Sequence, residues 1–327
     1  MATYYGTYGQ KVQYLSSDPP APQTGQVWYN STSATLKVRA VSTVGTWSSS
    51  PNLAAASSTG GAAGTQTAAL TFGLPGPPGS APTLVSQSWN GTSWTTTPSL
   101  PRGGDYTSGF GTQTAAVSAG DGRPVDANYS NLWNGSTWTA GNNTSQYGYA
   151  GVGLGIQTAG MLAGRYDGGI QNYVETFNGT SWSNNPADLN TSRYNPMGSG
   201  TQTAALIFGG NLDPGPVTGA TESYNGTSWT SNPTGLNTAR DSGAGSGTQT
   251  TAVCYGGGTP TSTGATELWN GTSWSNNPNS MSTARQSLNN TLGTAPATLA
   301  VGSGPANLSV ESYAGPGSAT TKTVTVS

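Results

Sequence analysis

Between residues 44 and 320 the chain alternates short apolar runs with longer stretches of Ser, Thr, Asn and Gly, and the same order returns six times. The apolar runs end on glycine: ALTFG, AVSAG, GMLAG, ALIFGG, AVCYGG and TLAVG. Such a run is too short for a helix and suits a strand buried on both faces. Ahead of each stands GTQTAA or a variant, starting at Gly64, Gly111, Gly155, Gly200, Gly247 and, in a degenerate copy with Ala295 and Pro296, Gly293. Behind most of them comes an alternating segment such as TESYNGTSW, whose Asn-Gly between two aromatic-bearing halves is a strong hairpin signal. A weaker strand after the tryptophan, as in SRYNPMGSG, ARDSGAGSG and ARQSLNNTL, completes four predicted strands per unit.

The tryptophans that close this phrase are Trp47, Trp94, Trp138, Trp182, Trp229 and Trp274, spaced 44 to 47 residues apart. That is the period of a four-stranded propeller blade. One such sheet cannot bury its own faces, whereas six packed radially bury each between two neighbours, which makes these tryptophans candidates for inter-blade packing. The sixth phrase is split. ESYAG (Glu311–Gly315) breaks off near one end of the chain, and VGTWSSSP (Val44–Pro51) supplies its second half near the other. The expected fold is therefore all-β: a six-bladed β-propeller over residues 44–327, closed by the strand near Trp47. Residues 1–43 contain no repeat landmark and form an N-terminal arm, in which GQVWYNSTSATLKVR reads as a β-hairpin.

Composition narrows the function. Charged residues are 7% of the chain and the formal net charge is −2, so there is no basic stripe for phosphate and no nucleic-acid partner is expected. The 49 Gly and abundant Ser, Thr and Asn would suit disorder, but 10 Trp and 15 Tyr, many at fixed repeat positions, supply a core. The N-terminus, MATYYGTYGQKVQYL, shows neither an export signal nor a bilayer-length apolar run, so synthesis in a cytoplasm without membrane insertion is expected. Histidine is absent and Cys254 is the sole cysteine, which removes Ser-His and Cys-His nucleophiles and thiolate zinc sites. No cofactor or metal is expected, and TAVCYGG reads as a strand with a buried thiol.

Among the few charges, Glu175, Glu222, Glu267 and Glu311 sit two residues before an aromatic in four units, with Gln87 and Asn131 in two others. A glycosidase carboxylate pair is one reading. Recurrence once per unit, and replacement by amides, favours a hydrogen-bonding role over proton transfer. Asn90, Asn134, Asn178, Asn225 and Asn270 head N-x-S/T triplets, which suit a type I′ turn better than glycosylation. Arg102, Arg193, Arg240 and Arg285 recur before the first strand, placed either to grip an anion in a central channel or, more simply, to bond backbone carbonyls. The loops after the apolar strand differ in every unit, and recognition normally sits on such loops. The candidate ligand-contact residues are therefore Arg102, Arg123, Asp126, Arg165, Asp167, Asp213 and Arg240.

The order apolar strand, Gly-Gly (Gly209-Gly210, Gly256-Gly257), Glu-x-Tyr, then Trp and a downstream Arg (Arg240, Arg285) resembles the kelch repeat of β-propellers over roughly residues 44–320. Leu74, Asp121, Arg165 or Ser303 stands where the second glycine or its neighbour belongs in four units, and the first and third lack the arginine. SYNGTSW also resembles the Asp-box turn of sialidases, a structural element there, with Asn225 in place of aspartate. GQVWYNSTSATLKV resembles short segments near the start of tailed-bacteriophage structural proteins. These resemblances imply a non-enzymatic virion structural protein displayed on the particle surface, as a tail-fibre or baseplate component in host adhesion. Its partners would be other virion proteins, through residues 1–43, and a host surface glycan or receptor. A capsid decoration (cement) protein and a glycan-binding or adaptor kelch propeller are the alternatives.

Overall fold

The computed structural model describes residues 12–23, 25–41, 44–56, 60–74, 83–104, 106–120, 128–213, 215–288, 292–302, 308–317 and 319–324. The described residues contain no helix and form seven four-stranded sheets in a propeller-like all-β architecture. Two compact units result: residues 1–45 with 314–327, and residues 46–313.

The larger unit carries six of the sheets, numbered I to VI here: residues 61–97, 108–140, 152–184, 197–231, 244–277, and 293–314 joined by Thr46–Ser50. Sheet IV shows the common plan. Met197–Thr201, Ala204–Phe208, Thr221–Tyr224 and Trp229–Ser231 pair antiparallel in chain order. Its apolar second strand is buried from Ala205 to Phe208, whereas the fourth buries Trp229 and exposes Thr230 and Ser231. The burial gradient runs from the second strand outward, which is why the apolar run carries the clearest signal.

Each sheet packs on the one before it through the tryptophan of its fourth strand. Phe72 of sheet I meets Trp138 of sheet II with ring centroids 4.8 Å apart, and Phe208 of sheet IV meets Trp274 of sheet V at 4.7 Å. Phe110 of sheet II faces Trp182 of sheet III edge-on. Trp229 of sheet IV lies among Leu154, Met161 and Ala163 of sheet III. Tyr255 of sheet V stands 5.1 Å from Trp47, which joins sheet VI. Finally, Trp89 and Trp94 of sheet I share a cluster with Leu299, Val301 and Val310 of sheet VI, so the order of packing returns to its start. Thr46–Ser50 is the outer strand of sheet VI, beside Val310–Ala314. The Ser48 and Ser312 hydroxyls lie 2.9 Å apart, and Trp47 packs 5.0 Å from Tyr313.

The Asn-Gly turns differ from the type I′ expectation. Trp89 pairs with Trp94, so four residues close the hairpin, and Gly91 has positive φ while Asn90 does not. The Asn90 side chain does the work: its Oδ1 accepts the N–H of Thr92 and of Ser93 at 2.9 Å each and the Thr92 hydroxyl at 2.8 Å. An Asx-type turn of this kind needs Asn first and a hydroxyl two residues on, so it writes N-G-T as a by-product.

In the smaller unit, β1 (Gln13–Leu15) runs parallel to β2 (Val27–Asn30), and β2 pairs antiparallel with β3 (Thr35–Val41). The sequence division left residues 314–327 with the repeats. The strand Ala319–Val324 is instead hydrogen-bonded along β3, with Thr320 opposite Ala40 and Val324 opposite Leu36. Its alternating ATTKTV has no repeat landmark and fits a sheet edge. Trp28, fully buried, donates its indole N–H to Asp18, which also accepts from Asn30 and Lys37, each at 2.7 Å.

Those three donors, Lys37 foremost, lower the Asp18 pKa from 3.8 to about 2. The native carboxyl is thus more acidic than the unfolded one, and the stability it confers is complete above the unfolded value and lost as pH falls towards about 2. Carboxyl-detected NMR titration should place the Asp18 midpoint near 2; an ordinary midpoint would show that the three bonds do not form. In the larger unit, Trp229→Ala should cost about 3–5 kcal/mol in chemical denaturation. A chain beginning at Leu53, lacking the outer strand of sheet VI, should melt at a clearly lower temperature than the full chain.

Candidate functional site

Any site here is framed by the groups that the repeats spend on themselves. The glutamates of the third strands are buried, and each is ion-paired to a buried arginine: Glu175 with Arg165, Glu222 with Arg193, Glu267 with Arg240 and Glu311 with Arg285. Glu222 also accepts the N–H groups of Asn190 and Thr191, at 2.7 and 3.2 Å, while Arg193 donates to the carbonyls of Gly209 and Ala220, both at 2.9 Å. Burial pushes the Arg193 and Arg285 guanidinium groups towards the neutral form, and the facing glutamates oppose it. A buried charge must be paired and hydrogen-bonded in this way to be tolerated. In sheets IV to VI the pairs tie the segment entering the sheet to its third strand, and Arg165 and Arg240 alike face the protein's own carboxylates.

Sheet III reaches the same pair by a reversed route. In sheets IV and V the arginine precedes the first strand and a glycine follows the second, with Arg193 against Gly210 and Arg240 against Gly257; a Cβ on either glycine would come within 3.4 Å of the arginine side chain. In sheet III the glycine is Gly148 and the arginine is Arg165. The bridges Tyr149–Tyr166, Tyr194–Asn211 and Asp241–Gly258 show that these positions correspond. The two oddities of the third unit, a missing arginine and a missing second glycine, are one exchange. In sheet I, Gln87 accepts from the Ala55 N–H and donates to its carbonyl, and in sheet II, Asn131 donates to the Arg102 carbonyl. The buried carboxylate and its buried arginine are absent together.

The glutamine of each GTQT turn joins neighbouring sheets. Gln113 of sheet II donates to the Ala69 and Trp89 carbonyls of sheet I, and Gln202 of sheet IV to those of Gly160 and Phe177 in sheet III. Gln66 of sheet I does the same to Thr298 and Tyr313 of sheet VI. Cys254 is fully buried, and burial pushes its thiol up to about 12, far from a reactive thiolate.

The first strands surround a channel. At one end it is lined by Gly64, Gly111, Gly155, Gly200, Gly247 and Gly293, one from each sheet. The other end opens where the variable loops arise, and Tyr106, Ala150, Asn195, Ser242 and Ser287 line it in equivalent positions. All five have left-handed backbone, with φ between 50° and 56°. This conformation is costly for a side chain other than glycine. Here it lets the N–H of Ala150 reach the carbonyl of Tyr106, that of Asn195 reach Ala150, and that of Ser242 reach Asn195, at 2.7 to 3.2 Å; Leu288 N–H then reaches Ser242 at 3.3 Å. The strain is offset by a head-to-tail backbone chain around the channel mouth.

The loop candidates are scattered. Asp167 is exposed and accepts from the Gln171 amide at 2.6 Å. Asp213 is exposed on the loop of sheet IV; burial first, then the charges of Asp213 and Asp241, push the Tyr194 hydroxyl pKa up. Arg102 is half-buried, stacked 4.3 Å over Tyr129 and donating to Gly141 at 2.6 Å. Arg123 and Asp126 lie outside the described residues. Among the described residues no cluster of three His, Cys, Asp or Glu could hold a metal ion, and no helix is long and apolar enough to cross a membrane. Tyr149, Tyr194 and Asp241 stand next to the lining residues Ala150, Asn195 and Ser242, and Tyr166 pairs with Tyr149; they follow no repeat, and in the sequence only nearness to the varying loops marks them.

No protein-family model matches this chain, and no curated protein matches it significantly.

The arginine exchange makes a direct test. Arg165→Gly leaves Glu175 buried and unpaired and should cost about 3–5 kcal/mol. Adding Gly148→Arg should recover most of that loss in denaturant melts, because it rebuilds the arrangement of sheets IV and V.

Proposed function

We propose that the larger unit is a six-bladed kelch-like β-propeller and that the protein is a non-enzymatic structural component of a tailed-bacteriophage particle. In this reading it is displayed on the surface, as part of a tail fibre or baseplate, and adheres to the host. Residues 1–43 join it to other virion proteins. The observation that carries the reading is the division of polar groups in the larger unit. The repeated Glu, Arg and Gln are turned inward, onto the fold itself. What remains to meet a partner is the set of loops that differ from sheet to sheet, as on other scaffolds that recognise variable targets. The resemblance of GQVWYNSTSATLKV to the openings of phage structural proteins supports the anchoring role of the N-terminal segment.

Labelled antibody on purified particles locates the protein, and the tail is the expected position; capsid labelling would favour the decoration reading. Deleting residues 1–43 spares the strand that carries Trp47, so it should abolish incorporation into particles without unfolding the larger unit. Exchanging the loops around Asp167 and Asp213 should change host adsorption and leave incorporation intact. Loop-exchanged protein that folds but no longer assembles would mean that the loops themselves dock on the particle.

A further inference from the structure

The channel mouth departs from the repeat. Starting from the lining residue Tyr106 and running beside Ala150 and Asn195, the rings of Tyr106, Tyr149, Tyr166 and Tyr194 form an unbroken arc from sheet II across sheet III to sheet IV, with successive centroids 5.7, 5.7 and 5.4 Å apart. Tyr106 is 41% exposed and the other three are half-buried. The rest of the lining is polar. Asn195, Ser242 and Ser287 face it, and Asp241, next to Ser242, accepts from the Ser242 hydroxyl at 3.2 Å. Gln286 and Asp241 both flank Gly258, where an added Cβ would lie 2.6 Å from Gln286 Oε1 and 3.2 Å from Asp241 Oδ1.

Packing does not demand this arc. The position held by Tyr149 and Tyr194 is Asp241 in sheet V and Gln286 in sheet VI, and the position of Tyr166 is Asn211 in sheet IV and Gly258 in sheet V. A fold that accepts Asp, Gln, Asn or Gly at these places does not require tyrosine at them. Flat rings edged by hydroxyls, beside a carboxylate and side-chain amides, match one chemistry closely. A pyranose has an apolar C–H face and a rim of hydroxyls that both donate and accept. Charge narrows the choice. Among the described residues, Arg165, Arg193, Arg240 and Arg285 are buried in pairs, while Asp167, Asp213 and Asp241 lie on the loops and rim of this end. An acidic sugar would meet like charge there.

We propose that the channel mouth is a binding site for a neutral saccharide, which lays its C–H face on the tyrosine arc and directs its hydroxyls to Asp241, Asn195 and Gln286. The site deepens the adhesion reading and rests on it for the biological source of the saccharide. Binding by the purified protein and presence on particles are separate measurements, so either can fail alone.

The test is ligand-detected NMR titration of the full chain with neutral oligosaccharides of glucose, galactose, mannose and N-acetylglucosamine, and with oligogalacturonate as the acidic comparison. At least one neutral series should bind, tenfold or more tighter than oligogalacturonate. Tyr106→Asn keeps a residue that tolerates left-handed backbone, as Asn195 does in sheet IV. It should weaken binding at least tenfold at an unchanged melting temperature, and Tyr166→Ala should do the same if it folds. The proposal is overturned if no neutral series binds at millimolar concentration, if oligogalacturonate binds equally well, or if binding survives Tyr106→Asn.

Discussion

A four-stranded sheet with an apolar second strand has two faces to hide and only neighbouring sheets to hide them. In this protein each of the six sheets in the larger unit lends its fourth-strand tryptophan to the sheet before it, and sheet I lends Trp94 to sheet VI. No sheet is buried by its own sequence, so the stability of each is held in common. The split sixth sheet follows from that constraint. An open series would leave two faces wet, and the strand carrying Trp47 completes the sheet that receives sheet I.

Polar groups reinforce the fold in three ways. At the channel mouth, the left-handed residues pass backbone hydrogen bonds from sheet to sheet. The turn glutamines clasp two carbonyls of the preceding sheet. The buried arginine and glutamate pairs act within a sheet, holding the incoming chain to the third strand. Because these groups are consumed internally, the larger unit keeps its form while the loops beyond its second strands change freely. The aromatic arc at the mouth stands out against this background as a feature the fold does not require.

Much of this was legible in the sequence. The apolar runs, the 44 to 47 residue spacing of the tryptophans and the split phrase ESYAG to VGTWSSSP fixed strand order and the pairing of the Trp47 strand with that of Tyr313, because burial and period leave direct traces. Side-chain geometry left weaker ones. Asn-Gly suggested a type I′ turn, and only the folded chain shows Asn90 reaching forward to the Thr92 and Ser93 amides. Arg165 looked like a loop residue free to meet a ligand, although the missing arginine of the same unit was the signal that it had changed sides. The strand Ala319–Val324 carries no repeat landmark, and its partner, β3, lies far away in sequence. Tyr149, Tyr166 and Tyr194 gave no sign of contact, since they come from segments whose proximity only the fold creates.

The central proposal is that the six sheets stand or fall as one ring closed by the strand at Trp47. Native-state hydrogen exchange, followed by mass spectrometry at rising denaturant, tests it most directly. The account predicts that the second strands of sheets I, III and VI, at Leu70, Leu162 and Leu299, exchange through one opening of equal free energy and equal denaturant dependence. Exchange of sheets I and VI through a smaller opening, with sheets II to V still protected, would contradict it and show an open series frayed at both ends.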